Sequence, residues 1–520
     1  MKYIRIINKQ LFIKFKSENI KERVLYNQMI QSLRGCIYNK KYKGYFVRKC
    51  EQNIKLLIEY GFNVQNVVQR NVCIPNNIPL FDYQIDGVKF IYNNYGSILL
   101  ADDMGIGKSI QAITYMMILN KYPVLIMCPA SLKLNWQNEI YKWIKKNSYV
   151  VSGRKDYNWS NERIIIINYD IIKDYESVLV YAKFPLLIAD ECHIANNINS
   201  YRGKAFVNIA KNCGCVLGLS GTPIQNNIIE FYNLLSVLRP KLFNSWWDYV
   251  NTYCNYSKVG KTIKYNGSKN YKKLHHILNN NIMLRRLKHD VLKELPEKLI
   301  SVIPVEITNR NKYEFVNDNF YDWLKKGDKD TKKITVIFAK IEKLKQIIME
   351  GKEEIIYSWI DNFITTGKKL VIMCRHTKVI NNLMLRYNDI AVKYDGRDSK
   401  EKKQKAEDLF YNKKKIQLFI GNMKAAGVGL NKLVVASTLL ILELGWNPGE
   451  HNQAIDRVHR IGQNDCCNIY YFIAQNTIEE DIIELLDKKQ RMLDGVLDGK
   501  QTVEENLLSS LLDKIKLRDK

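Results

Sequence analysis

In the stretch Ala101-Asp102-Asp103-Met104-Gly105-Ile106-Gly107-Lys108-Ser109, two glycines, a lysine and a serine stand at a spacing suited to holding an anion. Gly105 and Gly107 let backbone N–H groups turn inward around phosphate oxygens with no Cβ in the way. Lys108 can reach terminal phosphate oxygens, and the Ser109 hydroxyl can bind Mg2+. Ser97-Ile98-Leu99-Leu100 before it is a short apolar strand, and Ile110 to Met117 after it is apolar at helical spacing. Strand, tight turn and helix put the positive end of a helix dipole at the same point. One residue departs from the pattern G-x-x-x-x-G-K-[ST]: Asp102 stands where the first glycine falls. A carboxylate beside phosphates is unfavourable unless it points away, and an ordinary glycine turn is the plain alternative for this loop taken alone.

A second constellation is Asp190-Glu191-Cys192-His193, which follows the buried-strand pattern Pro185-Leu186-Leu187-Ile188-Ala189. Two acids at the end of a buried strand are unfavourable unless they meet a cation or solvent. Beside a phosphate-binding loop, Asp190 would hold Mg2+ through water and Glu191 would polarise the attacking water. A strand-end acidic cap explains one of these acids well and two of them poorly. Ser220-Gly221-Thr222-Pro223 ends another strand, where small hydroxyl residues could sense the nucleotide. Gln84, about twenty residues before the loop, has an amide able to meet both a donor and an acceptor on an adenine edge.

The elements that must position these residues are strands alternating with helices. Pro123 to Cys128, Arg163 to Asn168 and Cys215 to Leu219 read as continuous apolar strands of a parallel sheet. A second series follows at Lys369 to Cys374, Ile390 to Tyr394, Ile416 to Ile420, Thr438 to Leu442 and Asn468 to Ile473. This is the α/β class, with two doubly wound parallel-sheet lobes. The expected divisions are a small basic α+β module over 1–78, a first lobe over 79–240, and helical insertions and a linker over 241–365. A second lobe over 366–490 and a C-terminal helical brace over 491–520 complete them. In the first module a strand at Leu11 to Lys16, a helix from Asn19 to Leu33, a hairpin over Cys36 to Lys49 and a helix from Glu51 to Tyr60 are expected. Its tyrosines among lysines suit stacking on bases, or equally packing on a helix.

Lys and Arg number 80 against 53 acidic residues, a net charge of +27. Such an excess predicts an anionic polymer as partner, most simply nucleic acid. Frequent Asn, Ile and Tyr also fit AT-rich coding. Eleven cysteines without a C-x-x-C pair suit reduced thiols rather than a zinc site or a disulfide framework. No apolar run reaches the length of a membrane span, and the N-terminus lacks a signal-peptide core, so a soluble intracellular protein is expected.

Taken in order, LADDMGIGKSIQAI, ADECH and LSGTPIQNN resemble the superfamily-two helicase-like ATPases of the Swi/Snf type. Leu284-Arg285-Arg286-Leu287-Lys288, Gly427-Val428-Gly429-Leu430-Asn431, Trp446-Asn447-Pro448 and the run from Gln453 to Gln463 extend the resemblance over about residues 79–490. The wording of the glycine loop resembles the branch of annealing, fork-remodelling translocases that carry a HARP-type domain, with 1–78 as its reduced counterpart. The resemblance implies two RecA-like lobes, ATP and Mg2+ as cofactors, and a monomeric motor that translocates on double-stranded DNA. It implies a DNA-containing compartment, the nucleus or a viral factory. Asp102, Asp103, Met104 and Ile106 join Gly105, Gly107, Lys108 and Ser109 around the nucleotide, with Gly429 and Gln453 from the second lobe. Arg457 and Arg460 would face the transferring phosphoryl group across the cleft. A motor on RNA or single strands, and a non-enzymatic DNA-binding scaffold, are the alternatives. Lys108, Asp190, Glu191 and Arg460 all being in place argues against the scaffold.

Overall fold

The computed structural model describes residues 2–499 apart from 8–9, 16–19, 65–71, 96, 155, 160, 225–227, 260–261, 326–331, 424–429 and 431. It divides into two compact units. One holds the residues up to Val291 together with the segment beginning at Asp494, and the other holds Leu292–Leu493. No helix among the described residues is long and apolar enough to cross a membrane.

The first unit opens with four strands: β1 (Lys2–Ile7), β2 (Gln10–Phe15), β3 (Ile37–Asn39) and β4 (Gly44–Val47). They form an antiparallel sheet in the order β1-β2-β4-β3. Leu11, Ile13 and Val47 pack on Tyr26 and Met29 of the helix Ile20–Ser32, on Leu33 just after it, and on Ile54 and Leu57 of the helix Glu51–Glu59.

Next come β5 (Ile98–Leu100), β6 (Val124–Cys128), β7 (Tyr149–Val150), β8 (Ile164–Asn168), β9 (Leu186–Asp190) and β10 (Val216–Leu219). A hairpin of β11 (Cys254–Val259) and β12 (Thr262–Ser268) precedes β13 (Met283–Leu284). The parallel sheet runs β13-β5-β10-β9-β6-β8-β7. Its inner strands are buried throughout, which is why they read as unbroken apolar runs. Because β5, β9 and β10 are parallel neighbours, the loops leaving their C-terminal ends emerge side by side.

The second unit contains β14 (Lys298–Val305), β15 (Leu370–Cys374), β16 (Ala391–Tyr394), β17 (Leu418–Asn422), β18 (Thr438–Ile441) and β19 (Cys467–Ala474), in the parallel order β14-β19-β18-β15-β17-β16. Alternate residues divide between two apolar layers. Val371, Met373, Phe419, Leu439 and Ile441 face one, and Leu370, Ile372, Leu418, Ile420 and Leu440 face the other. A sheet covered on both sides requires such strands.

Two expectations are corrected. Helices through 241–300 are interrupted by the hairpin β11–β12, and the helical reading from residue 301 fails as far as Val305, which closes β14. β14 lies at the sheet edge and most of its side chains face solvent, so the strand depends on its parallel pairing with β19 rather than on an apolar pattern.

Two polar networks brace the second unit. Lys352, on the helix Lys332–Ile364, is fully buried; it donates to both carboxylate oxygens of Glu479, at 2.8 and 2.9 Å, and to the Phe472 carbonyl at 2.9 Å. Beyond β15, Glu443 accepts the backbone N–H groups of Arg375 and His376, at 2.6 and 2.8 Å, and pairs with the His376 ring. Glu342 lies 3.3 Å from the other ring nitrogen. These two carboxylates raise the His376 pKa from 6.5 to about 9 against the effect of burial.

Removing one member of a buried ion pair leaves the other uncompensated, so Lys352→Met is expected to lower stability by roughly 3–5 kcal/mol, read as a fall in the urea midpoint. Because its folded pKa is raised, His376 contributes stability that is complete below about pH 6.5 and is lost as pH rises through about 9. Urea titrations from pH 6 to 9.5 should show a steeper alkaline loss for the parent than for His376→Gln; parallel curves would contradict the assignment.

Candidate functional site

β5 delivers Ala101 into the glycine loop, and the helix Lys108–Leu119 leaves it. Gly107, the residue before that helix, has φ of +85°, and a Cβ there would come within 2.3 Å of the Gln84 amide nitrogen. Glycine is therefore required on two counts, conformation and space. Gly105 also has φ of +85°. The Lys108 ammonium folds back to donate to the carbonyls of Asp102 and Asp103, at 2.8 and 3.0 Å. Ser109 lies half-buried in the first turn of the helix, and Met104 and Ile106 are the buried apolar residues of the loop.

The Gln84 amide is hydrogen-bonded to the loop and to the start of its own helix. Its Oε1 accepts the Phe81 N–H at 3.0 Å, and its Nε2 donates to the Ile106 carbonyl at 3.1 Å. Tyr83 donates to the same carbonyl at 3.0 Å. Here Gln84 holds the loop in shape, with both ends of its amide occupied.

Asp102 is wholly buried, and its carboxylate turns away from the loop interior. Arg286 grips it with both sides of its fork, one bond being Nε to Oδ1 at 2.9 Å. Gln111 donates to Oδ2 at 3.3 Å and accepts from Arg286 at 2.9 Å. Asp102 thus enters the site through its carbonyl, and its unfavourable charge is neutralised outside the cradle. Asp103 accepts the Lys288 N–H at 3.1 Å through its side chain. Neighbouring Arg285 donates to the carbonyls of Ala101 and Gly221, at 3.0 and 3.3 Å, and pairs with Asp498. β13, paired with β5, brings both arginines to the loop. Sequence reasoning missed this role: Arg286 lies far along the chain from Asp102, and no local spacing joins them.

The acidic pair closes β9, which is separated from β5 by β10. Asp190 ends β9, and Glu191 follows in the left-handed region at φ of 48°. Asp190 accepts the Trp136 indole N–H at 2.8 Å and the Glu191 backbone N–H at 3.0 Å. Burial, and then the charge of Glu191, raises its pKa to about 6. Glu191 lies 3.2 Å from His193 Nδ1, which is 2.9 Å from the Ser220 hydroxyl at the end of β10. The acidic box and the serine turn are therefore in contact. Among the described residues no three His, Cys, Asp or Glu side chains form a metal cage by themselves. The donors present, one hydroxyl and a buried acid with a raised pKa beside an anion cradle, suit a cation that takes its remaining ligands from phosphate and water.

In the second unit, Asn447 caps the helix Pro448–Val458, with Pro448 in its first turn. Gln453 is buried on that helix. Arg457 and Arg460 converge on one acceptor, the Leu430 carbonyl, at 3.3 and 3.2 Å. Gly429, with Gly427, Val428 and Asn431, lies outside the described residues. Gln463 donates to the carbonyls of Val434, Ala436 and Val458, so it fastens the turn after the arginines.

The Asp102–Arg286 pair is open to a direct check. Arg286→Ala strands a buried carboxylate and should lower stability by roughly 3–5 kcal/mol. Adding Asp102→Asn should recover most of that in urea titrations; a double variant no more stable than the single would refute the pairing.

The sequence of residues 83–353 matches the model of the SNF2-related domain, and that of residues 333–462 the helicase conserved C-terminal domain. The SWI/SNF-related matrix-associated actin-dependent regulator of chromatin subfamily A-like protein 1 of Xenopus laevis is 30% identical over 433 residues, which are 80% of this chain and 44% of that protein. The DNA annealing helicase and endonuclease ZRANB3 of Homo sapiens is 30% identical over 448 residues, 81% of this chain and 41% of that protein. The chain thus spans less than half the length of these relatives. A Sulfolobus solfataricus SWI2/SNF2 ATPase core, solved in complex with dsDNA, aligns at a TM-score of 0.40 and 24% identity, covering 83% of this chain and 96% of that one. With a glycine loop, an acidic box and a serine turn on neighbouring strands and a family match over more than half its length, the chain belongs to the SNF2-related family.

Proposed function

We propose that the chain is a DNA-dependent ATPase that moves along or remodels double-stranded DNA. The observation that carries this reading is the gathering of the Lys108 loop, the Asp190–Glu191 pair and Ser220 at the C-terminal ends of three adjacent parallel strands. That edge is where nucleotides bind to such sheets. The backbone of Asp103 to Gly107 and the Lys108 ammonium would hold the ATP phosphates, exchanging the carbonyls that Lys108 now contacts for phosphate oxygens. Ser109 and Asp190 would hold Mg2+, largely through water, and the ion would neutralise charge between the terminal phosphates. Glu191, held near Asp190 by the strand end, would orient and polarise the water that attacks the terminal phosphorus. Arg457 and Arg460 are the residues assigned to the charge that develops on the transferring group, and Gln453 and Gly429 are assigned to binding the nucleotide.

Duplex DNA as the track rests on the net charge of +27 and on the annealing-helicase and chromatin-regulator names of the relatives. The annealing-helicase name favours annealing substrates; forked DNA, a nuclear or other DNA-containing compartment and a motor acting as a monomer are part of the same proposal. Residues 1–78 are assigned as an accessory module and residues 491–520 as a C-terminal helical brace.

Steady-state ATP hydrolysis should rise on adding linear duplex, and further with a fork, but less with RNA. Lys108→Ala should abolish turnover, Glu191→Gln should lower it by about 10²–10⁴-fold, and Arg460→Ala by roughly 10³-fold. No stimulation by any duplex, or turnover surviving Lys108→Ala, would overturn the reading.

A further inference from the structure

The N-terminal sheet has one face on its helices and another that its own helices leave uncovered. Strand register places Arg5, Phe12, Phe46 and Ile37 in one row across all four strands. Leu11, Ile13 and Val47, which alternate with that row, turn to the helices. On the outer face Phe12 forms a floor, with Arg5 5.4 Å above its ring centroid. Phe46 lies 5.2 Å from Phe12, and Tyr42 folds edge-on over both at 6.0 and 5.9 Å. Tyr42 is 41% exposed and Ile37 67%. Around them Lys14, Lys40, Lys41, Lys43, Arg48 and Lys49 are exposed. The first fifty residues hold thirteen basic residues and two acidic ones. The family match begins only at residue 83, so it does not account for this module.

We infer that this face binds single-stranded DNA, as a site separate from the motor. Phe12 is buried beneath its neighbours, and the exposed Tyr42 ring above it can stack on a base only when that base is unpaired, while the surrounding cations match the phosphates of the same strand. An acidic protein would complement the charge and leave the layered rings without a role. Duplex DNA would meet the cations but keep its bases from the rings. The choice of DNA over RNA rests on the function proposed above.

The test is fluorescence anisotropy of labelled oligothymidylate with the full chain, without nucleotide. Tyr42→Ala should weaken binding by about tenfold or more, while Tyr42→Trp should bind like the parent. Lys40→Glu/Lys41→Glu/Lys43→Glu should weaken it and flatten its salt dependence. Basal ATP hydrolysis, unchanged in these variants, shows that each is folded. Parent-like affinity in both Tyr42→Ala and the triple variant would overturn the site, and tighter binding of oligouridylate would overturn DNA as its ligand. Tyr42-dependent strand binding in a protein whose ATPase ignores duplex would uphold this site and count against the motor alone.

Discussion

A carboxylate without access to water must have a cation beside it, and the phosphate loop of this protein is built around one such carboxylate. Asp102 sits inside the turn that has to receive anions. Left ionised and unpaired, it would repel them and destabilise the fold. Arg286 removes both problems, because its planar fork matches the two carboxylate oxygens and draws them out of the cradle. With the side chain turned aside, the carbonyls of Asp102 and Asp103 are left to Lys108. Arg285 ties the end of β5 to the turn after β10 from the same short stretch. The loop, the serine turn and residues 285–288 therefore form one hydrogen-bonded body.

The same rule governs the other buried charges. Asp190 lies beside a second acid, and burial and then the charge of Glu191 raise its pKa. In the second unit Lys352 meets Glu479, and His376 bridges Glu342 and Glu443. Those pairs brace the scaffold, and the two acids at the end of β9 stand at the same sheet edge as the Lys108 loop.

Much of this was legible in the sequence because two signals are local. Continuous apolar runs mark strands buried on both faces, and β5, β6, β8, β9, β15, β17 and β18 fall where those runs lie. Glycine, lysine and acid spacings mark the loop and the box. What escaped depends on distant partners. β14 is mostly exposed and exists through its pairing with β19; β1, with Lys2 and Arg5 among its six residues, is held by β2. The polar hairpin β11–β12 shows no apolar alternation. Arg286 looks like one more cation in a lysine-rich stretch until β13 sets it beside Asp102.

The bond between the Trp136 indole and Asp190 reaches further than its share of stability. That indole is almost wholly shielded from solvent, and its only hydrogen atom able to form such a bond points at the acid assigned to the metal. A change at the Asp190 carboxylate, in protonation or in bonding, alters the electric field across the ring, so the surroundings of Trp136 are coupled to the state of that acid through one hydrogen bond.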